Sequence, residues 1–331
     1  MNVDDNERGS SIVEGMHLVT LDAIREAAIR IGSSVRRTPL VPFAPRGADD
    51  FAKCENLQRA GAFKIRGALN MMLQLSEEDR RRGVVTYSSG NHGQAVALAA
   101  QMLGCQAVIV MPTTAPAIKV QGAQGFGAEV IYAGTTYPER RDRAEREASM
   151  RGMTIVPPFD HEHIIAGQGT LGLEVLDECP GATAVCVPLG GGGLISGVAS
   201  AVKHMRPEVR IIGVEPAGAA KMTAALRAGR PVTLEKSASI ADGLIALRAG
   251  DLTYAHVRAF VDRVITVDED QIAEAVGWLA RTAKMVVEPS GAVCVAALRA
   301  GLLGDVQGPV VAVLSGGNVS PELLARLVGS S

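Results

Sequence analysis

The stretch 187–194 reads Val-Pro-Leu-Gly-Gly-Gly-Gly-Leu and directly follows an apolar segment that begins at Ala184. Four consecutive glycines carry no Cβ, so their backbone N–H groups can converge on one ligand. An apolar helical pattern starts right after them, and the start of a helix carries positive potential. This order of strand, glycine turn and helix predicts a phosphate site, although a glycine turn made only for packing would have the same sequence.

The glycine turn does not fit the common nucleotide signatures. A dinucleotide fingerprint, G-x-G-x-x-G, needs a glycine where Ile195 stands if it begins at Gly190. If it begins at Gly191, it needs a glycine where Ser196 stands. No lysine follows in the Walker position either. The turn therefore favours a small phosphate monoester over NAD or ATP as its ligand.

Short apolar segments rich in β-branched residues alternate with helical patterns on both sides of the glycine turn. The segments predicted as strands are 84–87, 107–111, 129–132, 154–156, 184–187, 210–214, 264–267 and 309–314. Strand followed by helix, repeated, predicts an α/β fold with mostly parallel sheets covered by helices on both faces.

The chain's 331 residues suffice for about two domains, and no low-complexity linker separates them. We predict a small domain at 73–158, inserted into a large domain formed by 1–72 and 159–331, with 1–15 flexible. Thr20 is expected to cap a helix whose apolar positions 21, 24, 28 and 31 share one face. Asp268 and Gln271 have capping-box spacing and predict a helix over 268–282.

Composition excludes several classes of protein. Hydrophobic residues make up 47% and charged residues 21% of the chain, as in soluble globular proteins. The net charge is -2 and no basic block exceeds three residues, which argues against nucleic-acid and anionic-membrane partners. The uncharged segment 180–202 is long enough to span a membrane, but its proline and glycines favour strand, loop and helix. An N-terminus without a signal pattern and five scattered cysteines lead us to expect a cytoplasmic protein with reduced thiols.

Two further turns follow predicted strands. One spans 86–94 and reads Thr-Tyr-Ser-Ser-Gly-Asn-His-Gly-Gln, and the other, at 314–318, reads Leu-Ser-Gly-Gly-Asn. Hydroxyls and free N–H groups at a helix start suit a carboxylate, and Asn91 could hydrogen-bond a ring substituent. Ser315 places a hydroxyl at a strand tip. Ligands bind where parallel strands end and helices begin, so these turns are the places to look for a site.

The chain has seven lysines among 33 basic residues, and Lys64 differs from the other six, which we expect to be solvated. Lys64 lies in 60–68, Ala-Gly-Ala-Phe-Lys-Ile-Arg-Gly-Ala, among small and apolar neighbours. A desolvated lysine loses part of its preference for the charged form, and its neutral amine can form a Schiff base. A lysine that runs along apolar surface to reach water is the alternative.

Together these motifs resemble one family, the pyridoxal-phosphate enzymes of fold type II (tryptophan synthase β-like), in the branch of threonine/serine dehydratases and serine racemase. The resemblance runs from about Arg37 to Asn318. It rests on the lysine motif, the three turns and four shorter motifs in family order: ENLQ at 55–58, AGQGT at 166–170, ADG at 241–243 and EPSGA at 288–292.

The resemblance implies pyridoxal 5'-phosphate bound as a Schiff base to Lys64, which would then act as the base at the substrate Cα. Gly190, Gly191, Gly192 and Gly193 would hold the phosphate, Asn91 would contact the ring hydroxyl, and Ser315 would face the pyridine nitrogen. Other cofactor contacts implied are Phe63, Gly243, Glu288 and Gly316. The substrate-carboxylate loop would comprise Ser88, Ser89, Gly90, Asn91 and His92.

The reaction implied is elimination of water from L-threonine or L-serine to give a 2-oxo acid and ammonia, by a homodimer. Ser315, a neutral partner for the pyridine nitrogen, makes the ring a weaker electron sink and favours expulsion of a β-leaving group. Another β-elimination or β-replacement stays open. A silent cofactor-binding protein is disfavoured, because Lys64 and the glycines are present.

Three residues mark departures within the branch. Ser89 resembles the serine that serine racemase uses opposite its lysine, so racemase activity is an alternative to elimination. Arg140 falls where serine racemase has an arginine that can reach the substrate, which suggests a threo-3-hydroxyaspartate dehydratase. Glu215 and Ala219 match a metal site of serine racemase, but Lys221 replaces its aspartate. An ammonium cannot ligate a metal, so we expect no metal there and Lys221 beside Glu215.

Overall fold

The computed structural model describes residues 17–46, 49–88, 90–115 and 117–329. The segment 1–15, predicted to be flexible, and Ser89 lie outside the described residues.

Helices and strands alternate along most of the chain. The helices are α1 Leu21–Ile31, α2 Ile65–Met72, α3 Glu77–Arg82, α4 Asn91–Leu103, α5 Ala117–Gly125, α6 Tyr137–Arg151, α7 Glu162–Glu178, α8 Gly193–Met205, α9 Lys221–Ala228, α10 Asp251–Phe260, α11 Glu269–Arg281, α12 Pro289–Arg299 and α13 Pro321–Gly329. The strands are β1 Leu40–Phe43, β2 Asp50–Lys53, β3 Val84–Tyr87, β4 Ala107–Met111, β5 Glu129–Tyr132, β6 Thr154–Ile155, β7 Ala184–Pro188, β8 Arg210–Pro216, β9 Arg263–Val267 and β10 Val310–Val313.

The strands form two sheets. A six-stranded sheet has the order β1-β2-β10-β7-β8-β9, and a four-stranded sheet has the order β5-β4-β3-β6. Every pair is parallel except β1 with β2, which is antiparallel. The predicted α/β architecture with mostly parallel sheets is therefore confirmed. The four-stranded sheet draws all its strands from 84–155, and the domain boundaries at 72/73 and 158/159 stay a prediction.

Buried helices cover the large sheet. Helix α8 packs so closely on α7 that a Cβ on Gly197 would lie 2.3 Å from the carbonyl oxygen of Ile165. A side chain at position 197 would therefore force the two helices apart. The uncharged segment 180–202 forms β7, the glycine loop and most of α8, as predicted. In the part of the chain that the structure describes, no helix is long and apolar enough to cross a membrane.

All eight predicted strands exist, but β1 and β2 were missed. Pro42 lies inside β1 and argues against a strand by sequence. In β2, Asp50 and Lys53 bracket two apolar residues, yet both side chains are fully buried. Asp50 pairs with Arg46, and Lys53 pairs with glutamates of α7. Buried ion pairs therefore allow a charged segment to lie inside the sheet.

Both predicted helix starts are confirmed. The Thr20 hydroxyl accepts a hydrogen bond from the N–H of Ala23, and Asp268 with Gln271 forms a capping box at the start of α11. The buried face of α1 includes Ala27, and Ala28, predicted for that face, is only half-buried.

Candidate active site

The carboxyl ends of β3, β7 and β10 and the start of α2 surround one cavity of about 420 Å³, a size that suits a small-molecule site. Predicted site residues that line the cavity are Phe63, Lys64, Ser88, Gly90, Asn91, His92, Arg140, Gly190–Gly193, Gly243, Glu288 and Ser315. Gly316 lies directly behind this wall, where a Cβ would be 2.3 Å from the Glu288 Oε1 atom. The structure thus brings the three turns together with Lys64, as predicted.

Lys64 lies immediately before α2 and faces the cavity. Its Nζ atom donates a hydrogen bond to the carbonyl oxygen of Pro158 at 2.7 Å and lies 5.1 Å from the centre of the Phe63 ring. Among the described residues no carboxylate forms an ion pair with the amine, and burial lowers the pKa of Lys64 to about 8. A neutral amine, which is the nucleophilic form, is therefore accessible near neutral pH.

The glycine loop forms a cradle at the start of α8. Gly192 is the N-cap residue, has φ +102, and brings no side-chain cap. A Cβ on Gly191 would lie 2.2 Å from the Phe159 ring, so the loop has no room for side chains. Because the first N–H groups of a helix lack partners within the helix, this cradle offers them to an anion. The geometry fits a phosphate.

A chain of amides joins the second and third turns. Asn91 donates from Nδ2 to Glu288 Oε1 at 2.6 Å and accepts from Asn318 Nδ2 at 2.9 Å. Burial first, and the charge of Asp242 second, raise the pKa of Glu288 to about 8. A protonated Glu288 can donate a hydrogen bond into the cavity, which an ionised carboxylate cannot.

His92 is buried at the start of α4. Its Nε2 atom lies 3.0 Å from the carbonyl oxygen of Val156, which can only accept, so Nε2 carries the hydrogen. The Nδ1 atom has no partner among the described residues. Burial, followed by the charge of Lys64, lowers the pKa of His92 to about 3. His92 is therefore neutral and presents a free acceptor atom.

The tip of β10 is fastened to the lysine segment. The N–H of Phe63 donates to the carbonyl oxygen of Ser315 at 3.1 Å, and Ala62 pairs with Gly316 in an isolated bridge. The Ser315 side chain is thereby held against the cavity beside Lys64, where the strand-tip prediction placed it.

Arg140 reaches the cavity from α6. Its Nη1 atom contacts the carbonyl oxygen of Thr135 at 3.4 Å, and its buried Nε atom has no partner. Among the described residues Arg140 forms no salt bridge, and burial lowers the pKa of its guanidinium. Arg140 is therefore a cation in the cavity wall that has no carboxylate in salt-bridge contact within the part of the chain that the structure describes.

Lys221 lies next to Glu215, as predicted, but away from the cavity lining. Its Nζ atom is 3.7 Å from Glu215 Oε1 and donates to the carbonyl oxygen of Ala219 at 2.7 Å. Lys221 and Lys53 are both fully buried, which corrects the expectation that every lysine except Lys64 is solvated. Each of the two ammonium groups contacts acceptor oxygens whose positions cannot be predicted from the sequence.

Sequence reasoning missed several residues that line the cavity: Lys119, Thr135, Thr136, Tyr137, Phe159, Asp242 and Ser290. Lys119 of α5 forms an ion pair with Asp242 across the mouth of the cavity. The Ser290 Oγ atom accepts a hydrogen bond from the N–H of Gly243 at 2.8 Å. Asp242 lies in the ADG motif and Ser290 in the EPSGA motif, next to the predicted site residues Gly243 and Glu288. Their position in these motifs could have identified them. For Lys119, the only signal in the sequence was that the chain contains few lysines.

Comparison with known proteins agrees with this geometry. The family model described as "Pyridoxal-phosphate dependent enzyme" matches residues 31–316. The chain belongs to this family. The resemblance, the fold class and the cofactor, pyridoxal phosphate, predicted from the sequence are therefore confirmed.

Similar proteins fall into two groups of activity. The chain is 45% identical over 316 residues to an L-threonine ammonia-lyase of Thermotoga maritima, covering 94% of this chain and 78% of that protein. It is 39% identical over 320 residues to a serine racemase of Schizosaccharomyces pombe, covering 95% and 99%. The solved structure of maize serine racemase superposes with a TM-score of 0.90 at 40% identity, covering 94% and 97%.

The residues present fit the cofactor that the family uses. The side-chain-free cradle at 190–193 suits its phosphate, and the Lys64 amine suits its aldehyde. The hydroxyl of Ser315 is a neutral partner for a ring nitrogen.

Proposed function

We propose that this protein is a pyridoxal-phosphate-dependent dehydratase that eliminates water from L-threonine or L-serine. Water then hydrolyses the resulting imine and releases ammonia, so the net products are a 2-oxo acid and ammonia. The observation that carries the proposal concerns the Lys64 amine. It shares one cavity with the glycine cradle, and among the described residues it donates to one carbonyl oxygen, that of Pro158. The similarity to an L-threonine ammonia-lyase supports elimination as the reaction.

When bound, the cofactor supplies the electron sink that makes the substrate Cα proton removable. Lys64 would hold the cofactor covalently. Once the substrate amino group displaces it, the freed Lys64 amine would take that proton, because its lowered pKa leaves a neutral amine available. Gly190–Gly193 bind the phosphate. Asn91 and Ser315 would orient the cofactor ring. The hydrogen bond from the N–H of Phe63 to the carbonyl oxygen of Ser315 would keep Ser315 at a fixed position relative to Lys64.

The substrate carboxylate binds at the start of α4. Gly90 is the N-cap of this 13-residue helix and provides no side-chain cap, so the first N–H groups are free for an anion. Ser88 contributes its hydroxyl at the end of β3, and we place Ser89 in the same loop on the strength of the resemblance. His92 stays neutral, so it adds no positive charge of its own at the carboxylate site.

Product analysis tests this proposal. Purified, cofactor-loaded protein is incubated separately with L-serine and L-threonine, and 2-oxo acid and D-amino acid are measured in the same tubes, with Lys64→Ala as control. We expect 2-oxo acid that depends on Lys64 and little D-isomer. If neither substrate yields 2-oxo acid while the cofactor is bound, the proposal is wrong.

Racemisation is the first alternative, and it rests on Ser89. Lys64 and Ser89 on opposite faces of the substrate could exchange the Cα proton, and the similarity to serine racemases favours this reading. The Ser89→Ala variant separates the two. Loss of D-serine formation with elimination retained would assign Ser89 as the second base, whereas unchanged L-to-D conversion would exclude it.

Arg140 favours a second candidate, dehydration of threo-3-hydroxyaspartate. It is a cation in the cavity wall without a salt bridge among the described residues, which suits a substrate that brings a second carboxylate. We expect Arg140→Ala to lower kcat/KM for hydroxyaspartate at least tenfold, equivalent to about 1.4 kcal/mol, and to leave kcat/KM for threonine nearly unchanged. Equal effects on both substrates would remove Arg140 as a specificity residue.

We propose, further, a homodimer in the cytoplasm. All five cysteines are free thiols and four are buried, which suits a reducing compartment. The dimer rests on family resemblance alone, and light scattering on the purified protein tests it, since a monomeric mass would contradict it.

A further inference from the structure

A fully buried ammonium group lies at the start of α9. Lys221 has no exposed surface, and its Nζ atom donates to the carbonyl oxygens of Ala219 at 2.7 Å and Leu244 at 2.8 Å. Glu215 Oε1 lies 3.7 Å away as a third oxygen. An ammonium has three donors and no acceptor, so the two carbonyl oxygens accept two of its hydrogens, and the Glu215 carboxylate faces it as an ion-pair partner.

The oxygen site does not depend on Lys221 for its shape. Backbone N–H groups of Met222 and Thr223 donate to the two carboxylate oxygens of Glu215 at 2.9 Å each, and the Thr223 hydroxyl adds a third bond at 2.8 Å. These bonds hold the Glu215 carboxylate in place. Without Lys221, one negative charge and two carbonyl oxygens would still point into the same buried space.

The Leu244 carbonyl connects this site to the cavity. Leu244 lies in the segment 242–247, every residue of which lines the cavity. Its neighbour Gly243 packs against the phosphate cradle, since a Cβ on Gly190 would lie 3.2 Å from the Gly243 carbonyl oxygen. The sequence predicted the contact between Lys221 and Glu215, but it gave no sign of Leu244.

We propose that the Lys221 ammonium is a built-in cation that fills an oxygen site otherwise fit for an inorganic cation, and that it positions the segment 242–247 against the phosphate cradle. Lys221 does not line the cavity, so it is a positioning residue and not a catalytic one. Its two closest partners are neutral carbonyls, an arrangement that resembles cation coordination more than a simple salt bridge. The protein therefore needs no added metal for this site.

Two substitutions at one position test the proposal. Lys221→Ala leaves a hole framed by the three oxygens, whereas Lys221→Met fills most of the same space with an apolar chain. We expect both to lower the melting temperature and to weaken cofactor binding at least tenfold. Added K⁺, NH₄⁺ or Mg²⁺ at millimolar concentration should restore the melting temperature and cofactor affinity of Lys221→Ala but not of Lys221→Met. The wild type should respond to neither these cations nor a chelator.

Lys203→Ala is the matched control, because Lys203 pairs with Asp262 on the surface away from the segment 242–247. It should change neither cofactor affinity nor cation response. The proposal is wrong if folded Lys221→Ala binds cofactor as the wild type does, or if its loss is not restored by any of the cations. It is also wrong if Lys221→Met folds while Lys221→Ala fails to fold in every cation, or if a chelator weakens wild-type cofactor binding and Mg²⁺ restores it. Melting and cofactor binding need no turnover, so the outcome is independent of the proposed dehydratase activity.

Discussion

Two buried lysines occupy nearly identical stretches of sequence and have different surroundings. Lys64 ends Ala-Gly-Ala-Phe-Lys at 60–64, and Lys221 ends Ala-Gly-Ala-Ala-Lys at 217–221. Burial lowers the pKa of both to about 8. Lys64 has one carbonyl partner and faces a cavity, whereas Lys221 has three oxygens around it and faces none. Desolvation alone therefore does not make a lysine reactive, because unused donors and open space are needed as well.

The largest expected difference between the two lysines is catalytic. Lys64→Ala should lower kcat by about a thousandfold or more, because it removes both the covalent anchor and the base. Lys221→Met, supplied with saturating cofactor, should retain activity within about tenfold. Borohydride reduction followed by peptide mapping locates the cofactor in the wild type. Label at Lys221, or full activity in Lys64→Ala, would reverse the roles assigned to the two residues.

Most of the fold and the cavity could be predicted from the sequence, because both depend on local signals. Alternating strand and helix patterns predicted the parallel sheets. The turns rich in glycine and hydroxyl residues predicted which three strand ends contribute to the site. The sequence could not predict β2, because the partners that allow Asp50 and Lys53 to be buried lie elsewhere in the chain. It missed the burial of Lys221 for the same reason. Tertiary partners decide whether a charged residue is buried, and a sequence window does not contain them.

Glu215 offers the next largest effect, on stability. Glu215→Gln keeps the size of the side chain but removes the charge that faces Lys221 and exchanges one acceptor oxygen for an NH2 group. The buried ammonium then loses the one anionic partner that it has among the described residues. We expect the free energy of unfolding to fall by about 3 kcal/mol, measured by urea denaturation of the apo protein. The comparison substitution is Asp160→Asn, which likewise removes a charge, here from the carboxylate that accepts from the N–H groups of Asp251 and Thr253 at the start of α10. A loss under about 0.5 kcal/mol in Glu215→Gln would mean that the carbonyls alone stabilise the ammonium.

The stability of the apo variants at pH 7 should separate the two lysines further, although the pKa of both falls to about 8 on folding. A lysine whose pKa falls from 10.5 to about 8 on folding binds fewer protons when folded than when unfolded between those values. Its burial is therefore unfavourable below pH 8, and the penalty disappears as pH rises toward 10.5. Lys64→Met should make the apo protein more stable at pH 7 by about 1–2 kcal/mol, and this gain should shrink between pH 8 and 10.5.

Lys221→Met should have the opposite sign at pH 7, because it removes the Lys221 donor from two carbonyl oxygens and leaves the buried Glu215 carboxylate without its counter-charge. Urea denaturation of both variants across pH 7 to 10.5 measures the comparison. If Lys64→Met destabilised the apo protein as Lys221→Met does, the Lys64 amine would be contributing to the fold rather than being held ready for chemistry.

The smallest expected effect compares the alanines that begin the two stretches. Ala60 has φ +56, a left-handed conformation unfavourable for a residue with a Cβ by about 1–2 kcal/mol, while Ala217 is not among the described residues with positive φ. Glycine removes that strain but loses more entropy on folding, by about 0.4–1 kcal/mol. Ala60→Gly should therefore stabilise the protein by about 0.5 kcal/mol, and Ala217→Gly should destabilise it by a similar amount. Equal destabilisation in both variants would show that the turn before Lys64 is not strained. A gain in Ala60→Gly accompanied by lower kcat would show that the strained alanine restricts where Lys64 can move.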